Sequence, residues 1–199
     1  SESKSFLNDY SKIRDICGMY SGSESAGVSF LYKYSYLKEE APIILLDIEI
    51  AMDTDNDDKD TDRIDILLFN KKDKSLKFLE GKLYSNNEIR STTSPKVIKQ
   101  VKGYNVQIAN KREEILTAYS NYINIVNEIF DLDLPRPSTI SPETGLYIFD
   151  FDSYQLKHDL KEKILPKLKK DLNYLYYIGN PEKIKIHALW DGKNTKCTS

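Results

Sequence analysis

The 199-residue chain is 40% hydrophobic and 30% charged, enough to bury one sizeable core and too apolar for a disordered segment. Its longest apolar runs, such as Ile43 to Leu46, fall far short of the roughly 20 residues of a membrane span, and Cys17 and Cys197 are too few for a disulfide framework or a zinc cluster. The net charge of −2 weakens a nucleic-acid reading without removing it, because charge is segregated: six Asp fall in residues 53 to 62 and six Lys in residues 157 to 170.

Taken in chain order, Phe6, Leu7, Tyr10, Ile13, Ile16 and Cys17 recur near the helical period and predict a helix from Phe6 to Met19. A second helix follows Ser23, which can cap it, with Phe30, Leu31, Tyr34 and Leu37 inward and Pro42 as its stop. APIILLDIEIAM reads as a strand, the Asp-rich segment as a loop, DRIDILLF as a second strand, NKKDK as a turn and SLKFLEGKLY as a third strand, together a meander. Ser94-Pro95 predicts an N-cap with proline at the first helical position, and Val97, Val101, Tyr104 and Ile108 give that helix its inner stripe. A further helix spans Glu113 to Phe130, with Ile115, Leu116, Tyr119, Ile123 and Val126 inward. DLPRPSTISPETG is a loop, GLYIFDF a buried strand, residues 153 to 172 a basic helix kinked at Pro166, and EKIKIHALW a last alternating strand. No linker divides the sequence, so one domain over residues 1 to 199 is expected. The opening SESKSF lacks the basic-then-apolar pattern of a signal peptide, which makes a cytoplasmic location the expectation.

The third strand sets Glu80 and Lys82 two residues apart, on one face. If it forms a hairpin with the second strand across the four-residue turn, Asp65 lies directly opposite Glu80. Two carboxylates roughly 5 Å apart across a strand pair repel unless a cation relieves them. Mg²⁺ does so with carboxylate oxygens and water, and Lys82 beside it could face a bound water or a scissile phosphate.

Asp65 in RIDILL followed by Glu80 and Lys82 in LEGKL, a D-x14-E-x-K spacing, resembles the signature of the PD-(D/E)xK nuclease superfamily. Gln100 and Tyr104 in QVKGY stand one turn apart on the next helix, similar to the Q-x-x-x-Y element of RecB-type members. Position 64 is Ile, so the literal Pro-Asp is absent. The resemblance implies an α/β, restriction-endonuclease-like αβββαβ core with a mixed central sheet flanked by helices and a C-terminal helix and strand added. It implies a metal-dependent nuclease cutting phosphodiester bonds in DNA. Asp65, Glu80 and the Gly81 carbonyl would hold Mg²⁺ or Mn²⁺, with an acid from the first helix, Glu24 ahead of its rivals Asp15 and Glu49, as a further ligand. Lys82 would orient the nucleophile, Gln100 would support water or Lys82, and Tyr104 would brace backbone or phosphate. A homodimer is an assembly the resemblance allows.

Blander readings stand beside these. Glu80 and Lys82 also suit a solvated strand face with a weak ion pair, Gln100 and Tyr104 a helix surface and core, and Glu24 a first-turn acid favoured by the helix dipole. A nuclease fold that binds nucleic acid or a protein without cutting is the alternative function, and a purely structural role for the fourteen Tyr and seven Phe a third. The Asp-rich loop is not an EF-hand, since Asp58 and Ile64 occupy the positions that need Gly and Glu. The lysines of 157 to 170 make a solvated face that could also contact phosphate. His158 and His187, the only histidines, leave little for serine, cysteine or zinc hydrolase chemistry.

Overall fold

The computed structural model describes residues 23–38, 40–51, 63–91, 94–191 and 195–196, without the side chains at 23–26, 33, 34, 195 and 196. The helix expected from Phe6 to Met19 and the Asp-rich loop lie outside the described residues. Three strands follow one another antiparallel: β1 (Ile43–Ala51), β2 (Arg63–Asn70) and β3 (Ser75–Leu83). Asn70 shapes the β2–β3 turn, its side-chain oxygen accepting the amides of Lys72 and Asp73 at 3.0 and 3.2 Å.

Beyond β3 the strands run parallel. The sheet order is β1-β2-β3-β5-β6-β7, with β5 (Gly145–Phe149), β6 (Leu175–Ile178) and β7 (Thr195–Lys196), and a two-residue β4 (Thr139–Ile140) lies beside the start of β3. The result is a mixed, open sheet flanked by helices. Two helices make the crossover from β3 to the parallel strands: α2 (Lys96–Asn110) and α3 (Arg112–Phe130). Leu76 and Phe78 face them, in one core with Tyr104, Ile115 and Ile123. The other face of β3 carries Leu79 and Leu83 against Val28 and Leu31 of α1 (Ser23–Ser35). Gly27 allows that close approach, because a Cβ there would fall 2.1 Å from the Phe149 ring.

Several expectations need correction. Helix α1 stops at Ser35, seven residues before Pro42, because Leu37 turns to φ 46° and its amide bonds to the Leu45 carbonyl at 3.3 Å. Among its described side chains Val28 and Leu31 are buried, while Phe30 is half-buried and Leu37 lies beyond the helix. Pro95 is the N-cap of α2 instead of its first helical residue; its ψ of 127° is extended and no side chain caps the end. The proline-rich loop contains β4 because it runs along the free edge of β3, where Ser75 and Leu76 pair with Thr139 and Ile140.

The basic helix, α4, is an α-turn (Ser153–Gln155), a π-helical stretch (Leu156–Ile164) and an α-helical end (Leu165–Leu168). The Leu165 amide reaches back to Leu160, one residue further than in an α-helix, just before Pro166, which has no amide to donate. The alternating EKIKIHALW is not a strand. It forms two 3₁₀ turns, Pro181–Lys183 and Ile186–Leu189, that lay Ile184, Ile186 and Trp190 on the α1 side of the sheet. His187 therefore sits in a turn, and the strand is the preceding LYYI run of β6, all four residues buried. No helix among the described residues is long and apolar enough to cross a membrane.

Candidate functional site at the end of the meander

Strands β2 and β3 pair from Asn70↔Ser75 to Ile66↔Leu79, and the ladder stops one residue short of Asp65 and Glu80. The two strands part there. The amide of Gly81 loses a backbone partner in the parting, and the Asp65 carboxylate supplies one, accepting its N–H at 2.7 Å. Asp65 is half-buried in the gap, against the backbone residue that separates Glu80 from Lys82. In an extended strand a residue's N–H and C=O leave toward the same side, so the Gly81 carbonyl faces that gap as well.

Glu80 and Lys82 continue the face of Leu76 and Phe78, and both are buried, 1% and 7% exposed. The Lys82 ammonium lies 2.9 Å from Glu80 Oε1 and 3.0 Å from Glu88 Oε2. A solvated strand face is thus ruled out for this pair, because the charges are out of water and held together. Glu88 went unread in the sequence. It belongs to a 3₁₀ turn, Asn87–Ile89, whose N-cap Asn86 accepts the Glu88 amide at 2.8 Å. The capping pattern of Asn86 was available as a signal; that the turn folds back over Lys82 was not.

From α2, Gln100 Nε2 donates to the Tyr104 hydroxyl at 2.9 Å, and that hydroxyl donates to the carbonyl of Arg63 at 2.8 Å. Tyr104 is 1% exposed and braces backbone, at the first residue of β2 and two before Asp65. Gln100 acts on Tyr104. The end of β3 is further fixed by Tyr84, whose hydroxyl donates to Asp159 of α4 at 2.6 Å while Arg90 stacks on its ring and pairs with the same carboxylate at 3.0 Å. The Tyr84 hydroxyl and Arg90 hold Asp159 below the ordinary carboxylate range. Asp159 also takes Lys163 at 3.4 Å, so one lysine of the basic helix is committed within α4.

Of the three further acids, Asp15 lies outside the described residues and Glu24 sits in the first turn of α1 with its side chain outside the description. Glu49 lies on β1 between Ile48, paired with Ile66, and Ile50, paired with Ile64, so it flanks Asp65. Its φ of 52° is a left-handed conformation that non-glycine residues adopt at a cost, and its carboxylate meets Arg63 at 3.4 Å. Among the described residues no cluster of three or more Asp, Glu, His or Cys gathers as a metal site. The Asp65 carboxylate and the Gly81 carbonyl at the gap, with Glu80 on the adjoining position of β3, are hard oxygen donors of the kind Mg²⁺ and Mn²⁺ take. No protein-family model, no curated protein and no solved structure matches the chain significantly.

Proposed function

We propose that the chain is a metal-dependent nuclease of the PD-(D/E)xK type, with a restriction-endonuclease-like core, that hydrolyses phosphodiester bonds in DNA at the parting of β2 and β3. The observation that carries this reading is the Asp65 carboxylate on the Gly81 amide at 2.7 Å, which fixes one acid beside the buried Glu80–Lys82 pair. The meander followed by a helical crossover to parallel β5 supports the core.

Asp65, Glu80 and the Gly81 carbonyl would hold Mg²⁺ or Mn²⁺, which when bound lowers the pKa of water and offsets negative charge on a phosphate. Glu80 and Glu88 hold the Lys82 ammonium in place. Glu88, with a side chain 39% exposed against 2% for Glu80, is the partner that gives way when a phosphate oxygen approaches the ammonium. Tyr104 and Gln100 hold the start of β2, so that Asp65 meets Gly81 in one geometry.

The test is cleavage of end-labelled DNA with Mg²⁺ or Mn²⁺. Asp65→Asn, Glu80→Gln and Lys82→Ala are each expected to abolish it, with circular dichroism reporting the fold. Undiminished cleavage by all three variants overturns the proposal. Binding of DNA by the wild type without cleavage under either metal selects the non-cutting alternative.

A further inference from the structure

A groove of about 480 Å³ runs along α2, lined by Glu88, Lys96, Lys99, Gln100, Gly103 and Gln107. One end is Glu88, which touches Lys82 of the site, and the rest follows the helix toward Gln107. Lys96 and Lys99 are exposed and three residues apart, hence neighbours on one helical face. Two cations above a groove that opens onto an anion-handling site suit a polyanion.

Gly103 is the residue that local stability does not explain. It stands inside α2, where glycine is a worse helix former than alanine. A Cβ built on it meets nothing within 4 Å among the described residues, so no close packing there demands its absence. What the missing side chain leaves is open floor in the groove. Beside it, Gln107 lines the far end of the groove.

We infer that this groove is the track of a single DNA strand entering the site, with Lys96 and Lys99 on its phosphates, Gly103 as the floor over which it lies and Gln107 at its far end. The inference rests on the nuclease reading and deepens it by naming the substrate form. From Lys96 to Gln107 the helix rises about 17 Å, the reach of a few nucleotides. A groove of about 480 Å³ is the size of a small-molecule pocket, which suits one strand threaded along it better than the full width of a duplex.

The experiment is fluorescence anisotropy of the full chain with a labelled oligo(dT) and with a duplex of equal length, in EDTA so that nothing is cut. The wild type is expected to prefer the single strand, and Gly103→Leu to weaken it at least tenfold while thermal unfolding is unchanged or raised. Gly103→Ala, which adds one methyl, keeps most of the affinity and raises Tm. Lys96→Ala with Lys99→Ala lowers the salt slope of log K by about 1.4, two phosphates' worth for single strands. Equal affinity of Gly103→Leu and wild type, tighter or equal binding of the duplex, or no binding by the wild type overturns the inference. Loss of cleavage in Asp65→Asn with unchanged binding in Gly103→Leu removes the track and keeps the nuclease site. Gly103-dependent binding with no cleavage under any metal does the reverse.

Discussion

Strand β3 buries two lysines on opposite faces, in opposite surroundings. Lys82 pairs with two carboxylates. Lys77 is 3% exposed, and its ammonium donates to the Tyr176 hydroxyl at 2.5 Å and the Trp190 carbonyl at 2.9 Å, among the rings of Tyr174, Tyr176 and Trp190 at 4.6, 5.0 and 5.5 Å. Burial lowers its pKa from 10.5 to about 8, against a weaker pull upward from Asp191. Between those values the unfolded chain holds the proton that the folded chain has released, so stability rises with pH. Each pKa unit corresponds to about 1.4 kcal/mol, which makes the full displacement about 3 kcal/mol, of which about 2 kcal/mol is recovered between pH 7.5 and 9.5. Burial raises Tyr119 and Tyr122, whose contribution is present below pH 10 and lost above it, so the window ends before they interfere. Urea unfolding of the wild type and Lys77→Met at pH 7.5, 8.5 and 9.5 reads the effect, other groups cancelling in the difference. The wild type is expected to gain about 2 kcal/mol relative to the variant across that range. Parallel curves would refute the placement of a charged amine in that aromatic pocket.

Other outcomes follow from single contacts. Tyr104→Phe keeps the ring in the core but leaves the Arg63 carbonyl without its donor, at a cost of about 1 to 2 kcal/mol in chemical denaturation. It should slow cleavage more than Gln100→Leu, which spares the bond to β2; equal effects would show that the hydroxyl does not position Asp65. Glu88→Gln should reduce kcat and barely move Tm, since the carboxylate it removes is 39% exposed. Asp131 ends α3 at φ 54°, so Asp131→Gly should raise stability by a few tenths to about 1 kcal/mol, and a loss would deny that strain.

The meander was legible because alternation, an Asn-led turn and β-rich runs agreed with one another, and the pairing of Ile66 with Leu79 is the register that the four-residue turn implies. What the sequence could not reveal is that the ladder ends at that pair, so that Asp65 meets Gly81 through its amide instead of facing Glu80 within a ladder. Buried LYYI was passed over because four apolar residues carry no period, whereas EKIKIHALW imitates alternation while its apolar residues settle on the sheet as turns. Gln100 and Tyr104 were visible as a spacing, but their target, the Arg63 carbonyl, is a tertiary contact that no spacing encodes. Glu88 was hidden for the same reason, since Lys82 reaches it only once the 3₁₀ turn has formed.

As proposed, Asp65 and Glu80 would form an oxygen-donor site for a divalent cation beside Lys82. Calorimetric titration of Mn²⁺ into the wild type and into Asp65→Asn/Glu80→Gln tests it without need of a substrate. Saturable binding near one or two ions per chain is expected in the wild type and is lost in the double variant. Identical isotherms for the two proteins, or no heat in the wild type, would contradict it.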